Sequence, residues 1–332
     1  MSTPVISLQN LAKRYGRTKA LDHVSLEIPS GVVFALLGEN GAGKTTLIRI
    51  LTGFLKPDEG SATVLGHSSI KNGLEIRRKI GYVSDAPALY EWMTAEEIGW
   101  FTSAFYDESF PDRYLELLAA FDVPTGVKLK NLSKGQRAKV ALALATAHDP
   151  ELLILDEPTS GLDPMVRRQF LESMVDRAAL GRTVLLSSHQ ISEVERVADW
   201  IAILHQGHLK VVQPLDVLKK TTWIVTATLD DPAATVELPP GNVLTESQNG
   251  RQMRWVVQAL PENWRDQFES VDGVTDLDAH QASLEEIFVA VCDNRANRPV
   301  PSGNGDQLLS AESTAQTIQQ SEPDESASWH TA

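Results

Sequence analysis

The chain contains 332 residues, of which 42% are hydrophobic and 22% charged, as is ordinary for a soluble globular protein. A formal net charge of −14 argues against a nucleic-acid-binding surface over most of the molecule. The single cysteine, Cys292, excludes an intramolecular disulfide and is typical of a reducing compartment. We expect neither a secretion signal at the N-terminus nor a membrane-spanning helix, because no apolar run approaches the roughly 18 residues needed.

The first two thirds of the chain alternate between short apolar strands and helical patterns. We expect strands at residues 5–8, 21–28, 32–37, 62–65 and 80–84, and a helix at residues 46–52. Between residues 85 and 147 the pattern is helical, with helices at residues 95–105, 113–121 and 132–147. Buried strands at residues 152–155, 183–187 and 201–204 are separated by helices at residues 164–179 and 191–198. This order predicts an α/β core with a mostly parallel sheet and an inserted helical block.

The character of the sequence changes after residue 212. The dipeptide Gln206-Gly207 just before this point predicts a hairpin turn. Residues 214–292 then predict a small α+β domain, and residues 293–332 a disordered tail, because Asn, Ser, Gln, Pro and Glu dominate there. Within this domain we expect helices at residues 214–220, 261–270 and 283–291, and strands at residues 223–229, 253–259 and around 275–278.

A glycine-rich run lies between the strand at residues 32–37 and the helix at residues 46–52, and it matches the phosphate-binding pattern G-x-x-x-x-G-K-[ST]. Glycines let the backbone curl around phosphate oxygens, and the helix N-terminus adds partial positive charge. Lys44 can reach the β- and γ-phosphates of a nucleotide, and the Thr45 hydroxyl can bind Mg²⁺. An ordinary glycine-rich turn is the alternative, but the flanking strand and helix favour a nucleotide site. The run consists of Gly38, Glu39, Asn40, Gly41, Ala42, Gly43, Lys44, Thr45 and Thr46.

Two acids follow the apolar strand at residues 152–155. Asp156 would hold Mg²⁺, directly or through water, and Glu157 would act as general base toward the attacking water. Taken alone, such a pair is equally well explained as a solvated strand end. Its position downstream of the phosphate-binding run favours the catalytic interpretation.

A third motif, Leu132-Ser133-Lys134-Gly135-Gln136, opens the helix predicted at residues 132–147. Serine is a good N-cap, and the free N–H groups of the first helical turn form a second anion site. A routine helix cap is the alternative. The position of this motif shortly before Asp156 in the chain favours the anion site.

Together these motifs resemble the ATP-binding cassette (ABC) family, the nucleotide-binding subunits of ABC transporters, over residues 5–213. The resemblance implies a P-loop NTPase core with an inserted helical subdomain at about residues 85–147. It also implies that Tyr15 stacks on adenine, that His189 contacts the γ-phosphate, and that the loop ending in Asp163 crosses a dimer interface.

The family resemblance further implies that ATP is hydrolysed in a head-to-tail dimer. Because residues 132–136 resemble the family's L-S-G-G-Q signature, Ser133, Gly135 and Gln136 would bind the ATP held by the facing subunit. The implied cofactors are ATP and Mg²⁺, and the implied partners are a transmembrane permease subunit and a second ABC ATPase subunit, with no nucleic acid. The chain would then lie in the cytoplasm, on the inner face of the cell membrane through the permease.

Two segments, residues 159–164 and 283–288, resemble the ATPase subunits of bacterial ABC-2-type exporters. An importer subunit is the nearest competing interpretation. A non-transport ABC ATPase acting on the ribosome or DNA is an alternative from a different class. The single cassette and the acidic net charge disfavour that alternative.

Two residues depart from the family's pattern. Asp85 stands where the family usually has Gln, and we group it with Glu157 and His189 as catalytic because a carboxylate can also reach Mg²⁺ or water. Asp85 also adds negative charge beside ATP. Lys134 stands where the family commonly has Gly, and it would either strengthen closure on the facing subunit's ATP or point to solvent.

Aromatic residues are frequent just after Asp85. By resemblance, Tyr90 and Trp92 lie in a region that faces the cytoplasmic helix of a membrane partner, although membership of the helical core is an equal alternative. For Phe101 and Phe105 we expect a place in the core.

Overall fold

The computed structural model describes residues 3–233, 240–261, 264 and 273–293 of the chain. The helix predicted at residues 261–270 and the disorder predicted at residues 293–332 fall largely outside the described residues.

The strands are β1 (Ile6–Tyr15), β2 (Thr18–Ile28), β3 (Val33–Leu37), β4 (Glu59–Val64), β5 (His67–Ser68), β6 (Ile80–Val83), β7 (Leu152–Asp156), β8 (Thr183–Ser188), β9 (Trp200–His205), β10 (His208–Pro214), β11 (Thr222–Leu229), β12 (Asn242–Asn249), β13 (Gln252–Gln258) and β14 (Val274–Gln281). The helices are α1 (Lys44–Leu51), α2 (Gly73–Lys79), α3 (Ala95–Ser103), α4 (Phe110–Ala120), α5 (Lys134–Thr146), α6 (Pro164–Ala179), α7 (Ile191–Val197), α8 (Leu215–Thr221) and α9 (Leu284–Cys292), with a short 3-10 helix at Leu129–Asn131. Within the described ranges, every helix falls short of the length and apolar character that a membrane span requires.

The described strands form three sheets, of which the central sheet positions the site. Its strand order is β10-β9-β3-β8-β7-β6, in which β10 alone among these strands runs antiparallel to its neighbour. A second sheet, in the order β2-β1-β4-β5, is antiparallel throughout. The mostly parallel α/β core that the sequence predicts is confirmed.

The central sheet is covered on both faces, as its continuous apolar strands require. All residues of β3 and of β7 are buried. One face packs with α1 against the antiparallel sheet, and the other packs against α6. The carboxyl ends of parallel strands share one edge of a sheet, so the segments that follow β3, β7 and β8 meet there. This edge carries the glycine-rich run, the two acids and His189.

The helical block leaves the central sheet after β6 and returns to it at β7. Its core joins α3, α4 and α5 through apolar side chains that include Ile98, Tyr114 and Val140. On another face of α5, Leu142 and Ala145 pack against the central sheet. Because α5 has two apolar faces, it holds the block in place against the sheet that carries the site.

Several aromatic side chains of this block face outward. Phe101 is 39% exposed and Phe105 is 69% exposed, so the prediction that they belong to the core is wrong. The register of α3 explains the exposure of Phe101, because the helix turns Ile98 and Gly99 inward, whereas Phe105 lies beyond the end of this helix. The opposite face then carries Phe101 together with Trp100, which is 77% exposed.

The third sheet has the order β12-β13-β11-β14 and is antiparallel. On one face of this sheet, Ile224 of β11 and Leu284 of α9 join Leu37 and Ile203 of the central sheet in a single apolar cluster. The other face forms its own cluster around the fully buried Trp255. The C-terminal sheet therefore shares a core with the central sheet, whereas the proposed domain boundary after residue 213 stays a prediction.

Leu284 is suited to testing this shared core because its side chain is fully buried. We expect Leu284→Ala to lower the free energy of unfolding by about 2–4 kcal/mol, since it removes buried methyl groups and leaves a cavity. Urea denaturation should show one transition that is shifted as a whole. The control is Val289→Ala on the same helix, where the side chain is 59% exposed. It should change the free energy of unfolding by less than about 0.5 kcal/mol. Early, separate loss of the C-terminal sheet would contradict a shared core.

Candidate active site

The glycine-rich run forms a tight loop between β3 and α1. Gly43 has a φ of 114°, a left-handed value that glycine adopts without strain. A Cβ atom on Gly38 would collide with the Leu204 carbonyl of β9, so glycine is also required there for space. The β9–β10 hairpin supports the loop from beneath, because the Gly207 N–H donates to the Ala42 carbonyl at 3.0 Å. The hairpin turn predicted at residues 206–207 is confirmed.

Lys44, the first residue of α1, is only 5% exposed. Its ammonium group donates to the Gly38 carbonyl at 2.6 Å and to the Glu39 carbonyl at 3.1 Å. The same Nζ lies 3.0 Å from Oε1 of Glu157, across the loop from β7. The Lys44 ammonium group therefore lies between the loop and Glu157.

Glu157 follows β7 and adopts a left-handed φ of 48°, which is uncommon for a residue with a side chain. Hydrogen bonds from its N–H to the Ser187 carbonyl at 3.2 Å and to Ser187 Oγ at 3.0 Å hold this conformation. Its second carboxylate oxygen, Oε2, lies 2.7 Å from Nδ1 of His189. The carboxylate is therefore held between Lys44 and His189.

Asp156, the last residue of β7, is fully buried. Its Oδ1 accepts a hydrogen bond of 2.6 Å from Ser187 Oγ. Burial raises the pKa of Asp156 above its ordinary value, and this outweighs the opposing effects of the Ser187 and Thr45 hydroxyls. The negative charges of Asp85 and Glu157 raise the same pKa further.

The surroundings of Asp156 suit a magnesium ion. Its buried Oδ2 accepts no hydrogen bond of normal geometry from the described residues, and the Thr45 hydroxyl lies beside the same carboxylate. Carboxylate and hydroxyl oxygens are the hard ligands that Mg²⁺ prefers, with phosphates and water completing its shell. Among the described residues, no group of three or more His, Cys, Asp or Glu side chains could hold a metal by itself.

A cavity of about 270 Å³ opens in front of the loop. It unites much of the predicted site: most of the loop residues, Asp85 from the segment after β6, Glu157 directly after β7, and Tyr15, which is 50% exposed. Gly38 and Ala42 lie outside the lining, because they support the loop from behind, and His189 reaches the site through Glu157. The lining residues are Tyr15, Ala20, Glu39, Asn40, Gly41, Gly43, Lys44, Thr45, Thr46, Asp85 and Glu157.

The motif at residues 132–136 lies apart from this cavity. Ser133 caps α5 by accepting from the Gln136 N–H at 3.1 Å, while the Ser133 N–H donates to Gln136 Oε1 at 3.0 Å. Gly135 is buried, and a Cβ atom there would press on Val166 of α6 at 3.3 Å. None of the three predicted ligands Ser133, Gly135 and Gln136 lines the cavity that the described residues of the same chain form.

Lys134 and Asp163 occupy positions that the sequence did not reveal. The Lys134 ammonium group lies directly over Gly161 of the same chain, so it rests on the loop that follows β7. Asp163 caps α6, accepting from the Met165 and Val166 N–H groups at 3.1 and 3.0 Å. Both residues therefore lie at the segment between β7 and α6, and neither lines the cavity formed by the described residues.

Sequence reasoning missed Ser187 as a member of the site. Its hydroxyl donates to Asp156, and it also accepts from the Glu157 N–H. A polar residue at the end of an apolar strand that shares the edge of β7 was the available signal. The pairing of β7 with β8, which sets Asp156 opposite Ser187, was needed to interpret that signal.

The fold and the phosphate-binding loop are those of a P-loop ATPase. The family model for ABC transporters matches residues 21–160 of the chain. The bacitracin transport ATP-binding protein BcrA of Bacillus licheniformis is 37% identical over 66% of this chain and 72% of its own length. The daunorubicin resistance ATP-binding protein DrrA3 of Streptomyces coeruleorubidus is 31% identical over 87% of this chain and 96% of its own length.

A similar solved structure is a dimeric, post-hydrolysis ATP-binding cassette bound to ADP and Pi. It is 27% identical, with a TM-score of 0.58, over 63% of this chain and 98% of that chain. The chain belongs to the ATP-binding subunits of ABC transporters, as its motifs indicated. It binds and hydrolyses ATP. The transport proteins among its relatives favour a role in transport over action on the ribosome or DNA.

Proposed function

We propose that this chain energises export through a separate transmembrane subunit, to which it binds on the inner face of the cell membrane. The names of the two relatives refer to bacitracin transport and daunorubicin resistance, which support an export role. The resemblance of residues 159–164 and 283–288 to ABC-2-type exporter ATPases points the same way.

The observation that carries the proposed chemistry is the placement of Glu157 between Lys44 and His189, at 3.0 and 2.7 Å, beside the phosphate-binding loop. In our proposal the γ-phosphate of ATP takes the place of Glu157 as the partner of Lys44. Glu157 stays bonded to His189 and accepts a proton from the attacking water. Thr45 and Asp156 would hold Mg²⁺, which would neutralise charge on the phosphates.

The proposed dimer pairs the cavity of one subunit with the motif at residues 132–136 of the other. The separation of Ser133, Gly135 and Gln136 from the cavity of their own chain supports this arrangement. The dimeric state of the related cassette bound to ADP and Pi supports it as well. In a closed dimer the first turn of α5 would face the γ-phosphate, where a helix N-terminus favours negative charge.

The proposed docking surface for the transmembrane subunit is the aromatic patch on the helical block. Tyr90 and Trp92 are 50% and 64% exposed, and the Tyr90 ring lies 5.7 Å from that of Phe101. Exposed aromatic rings are enriched at protein interfaces. A neighbouring groove of about 330 Å³, with Tyr82 and Tyr106 in its wall, could receive a short helix of the partner.

Two measurements test this proposal together. Purified protein should hydrolyse MgATP, and the chain should co-purify with a polytopic membrane protein from detergent-solubilised membranes. Replacing Tyr90 and Trp92 with Ser should reduce co-purification and leave the basal ATPase rate of the isolated chain unchanged, since both side chains are exposed and neither lines the cavity. Co-purification of ribosomal proteins in place of a membrane protein would contradict the transport role.

Asp85 permits a specific prediction about nucleotide binding. We expect Asp85→Gln to retain ATP binding, with an affinity within about fivefold of wild type, because an exposed charge contributes little in water. Its carboxylate accepts a hydrogen bond from the Ala86 N–H of its own turn at 2.9 Å, and among the described residues of the phosphate-binding loop none is hydrogen-bonded to it. Equilibrium titration with ATP measures the effect, and complete loss of binding would refute the prediction.

A further inference from the structure

A buried carboxylate outside the cavity joins two segments of the site. Glu193 of α7 is only 3% exposed. Its Oε2 accepts hydrogen bonds from Thr159 Oγ1 at 2.7 Å and from Ser188 Oγ at 3.2 Å. Its Oε1 lies 3.1 Å from Nε of Arg167 on α6. No step of the proposed chemistry uses this residue.

Two partners of Glu193 belong to different loops, and the third, Arg167, lies on α6. Thr159 begins the interface loop, residues 159–163, and Arg167 donates to the Leu162 carbonyl of that loop at 3.2 Å. Ser188 begins the switch turn, residues 188–190, which contains His189. The Ser188 hydroxyl also accepts from the Gln190 N–H at 3.0 Å. Glu193 therefore contacts one residue of each loop, and its third partner, Arg167, is bonded to the interface loop.

The energetic argument is that a buried carboxylate must keep its partners. Removing a charge from water is costly unless hydrogen bonds and an opposite charge compensate it. If the interface loop moves, the hydroxyl of Thr159 and the Arg167–Leu162 contact move with it. Glu193 would then lose the Thr159 hydroxyl unless its carboxylate follows, and the Ser188 hydroxyl bonded to the same oxygen would have to follow with it. Shared partners of this kind couple two segments within one chain.

We infer that Glu193 is a positioning residue that couples the interface loop to His189. This inference rests on the proposed function, because the roles of His189 and of the dimer interface are part of it. The facing subunit meets the interface loop, so its arrival sets the position of His189 and of the Glu157 carboxylate bonded to it. Hydrolysis thereby depends on the second subunit.

The most direct test uses a matched pair of substitutions at Thr159. Thr159→Val removes the hydroxyl and keeps the shape, whereas Thr159→Ser keeps the hydroxyl and removes a methyl group. We expect Thr159→Val to lower the kcat of ATP hydrolysis by about tenfold, because a small misplacement of catalytic groups has effects of that size or larger. Thr159→Ser should stay close to wild type. The KM for ATP should change little in both, since Thr159 does not line the cavity.

Glu193→Gln provides a second, independent variant. It preserves shape and an oxygen acceptor but loses the charge opposite Arg167, so we expect the same fall in kcat with little change in KM. Combined with Thr159→Val, it should add almost nothing, because both substitutions act through the same buried carboxylate. The control is Glu172→Gln on α6, whose side chain is 52% exposed, and it should match wild type.

The outcomes separate the inference from the proposed function. If His189→Ala is inactive while Thr159→Val and Glu193→Gln match wild type, the inference fails and the proposed function stands. If His189→Ala keeps full activity, the proposed role of His189 fails and the inference fails with it. Equal losses in Thr159→Val and Thr159→Ser, or loss of fold in both Thr159→Val and Glu193→Gln, would indicate a role in packing alone and would overturn the inference.

Discussion

Replacing Glu157 with Gln is expected to lower the rate of ATP hydrolysis by about 100-fold or more, since the amide cannot accept a proton from water. The shape of the side chain and its contact with His189 are retained, so the fold should be unaffected. ATP binding should persist, because ATP no longer competes with a carboxylate for Lys44. Steady-state phosphate release measures the rate, and equilibrium titration measures the affinity.

The same variant should also trap the closed state. With hydrolysis blocked, MgATP should convert the Glu157→Gln protein from monomer to dimer, as seen by size-exclusion chromatography with light scattering. Glu195→Gln, an exposed acid paired with Lys219 at 2.5 Å, is the matched control and should keep wild-type activity. A Glu157→Gln protein that hydrolyses ATP normally, or that stays monomeric in saturating MgATP, would contradict the proposed mechanism.

Lys44→Met is expected to weaken ATP binding by about 10- to 100-fold, because hydrogen bonds to charged groups contribute about 1.5–3 kcal/mol each. Methionine has a similar length and suits the buried position, which is only 5% exposed. The carbonyls of Gly38 and Glu39 lose their donor, and Glu157 loses its ion pair but keeps His189. Calorimetric titration with ATP is the appropriate measurement.

Lys220→Met is the control for this second variant. Lys220 is 72% exposed and pairs with Asp216 at 3.2 Å on the surface of α8. It should bind ATP as wild type does, since surface ion pairs of this kind contribute little. Wild-type affinity in Lys44→Met would mean that the loop does not bind phosphate through this lysine.

Much of the core could be predicted because its signals are local. The strands β3, β7 and β8 are built on apolar runs at residues 33–37, 152–155 and 184–186, and glycine or polar residues follow each run at the same sheet edge. A parallel sheet brings such ends together whatever the remaining topology is. The glycine-rich run and the acids Asp156 and Glu157 could therefore be recognised before the fold was known.

The elements that the sequence did not reveal have weak or mixed patterns. The strand β12 is polar and largely exposed, and β10 alternates only weakly, so neither has a clear apolar face. Both lie at sheet edges, where pairing with one neighbour suffices to hold a strand. The exposure of Phe101 and Phe105 was missed for a related reason, since aromatic residues at helical spacing are usually buried.

The sequence alone determined the class of fold, the phosphate-binding loop and the order of the catalytic motifs, because each depends on residues adjacent in the chain. The tertiary structure decided which distant residues meet. In it, Lys44 lies beside Glu157, Lys134 lies beside Gly161, and Glu193 is buried between two loops. Such contacts depend on how strands pair and helices pack. The periodicity of apolar residues along the chain predicts individual helices and strands but does not predict these contacts.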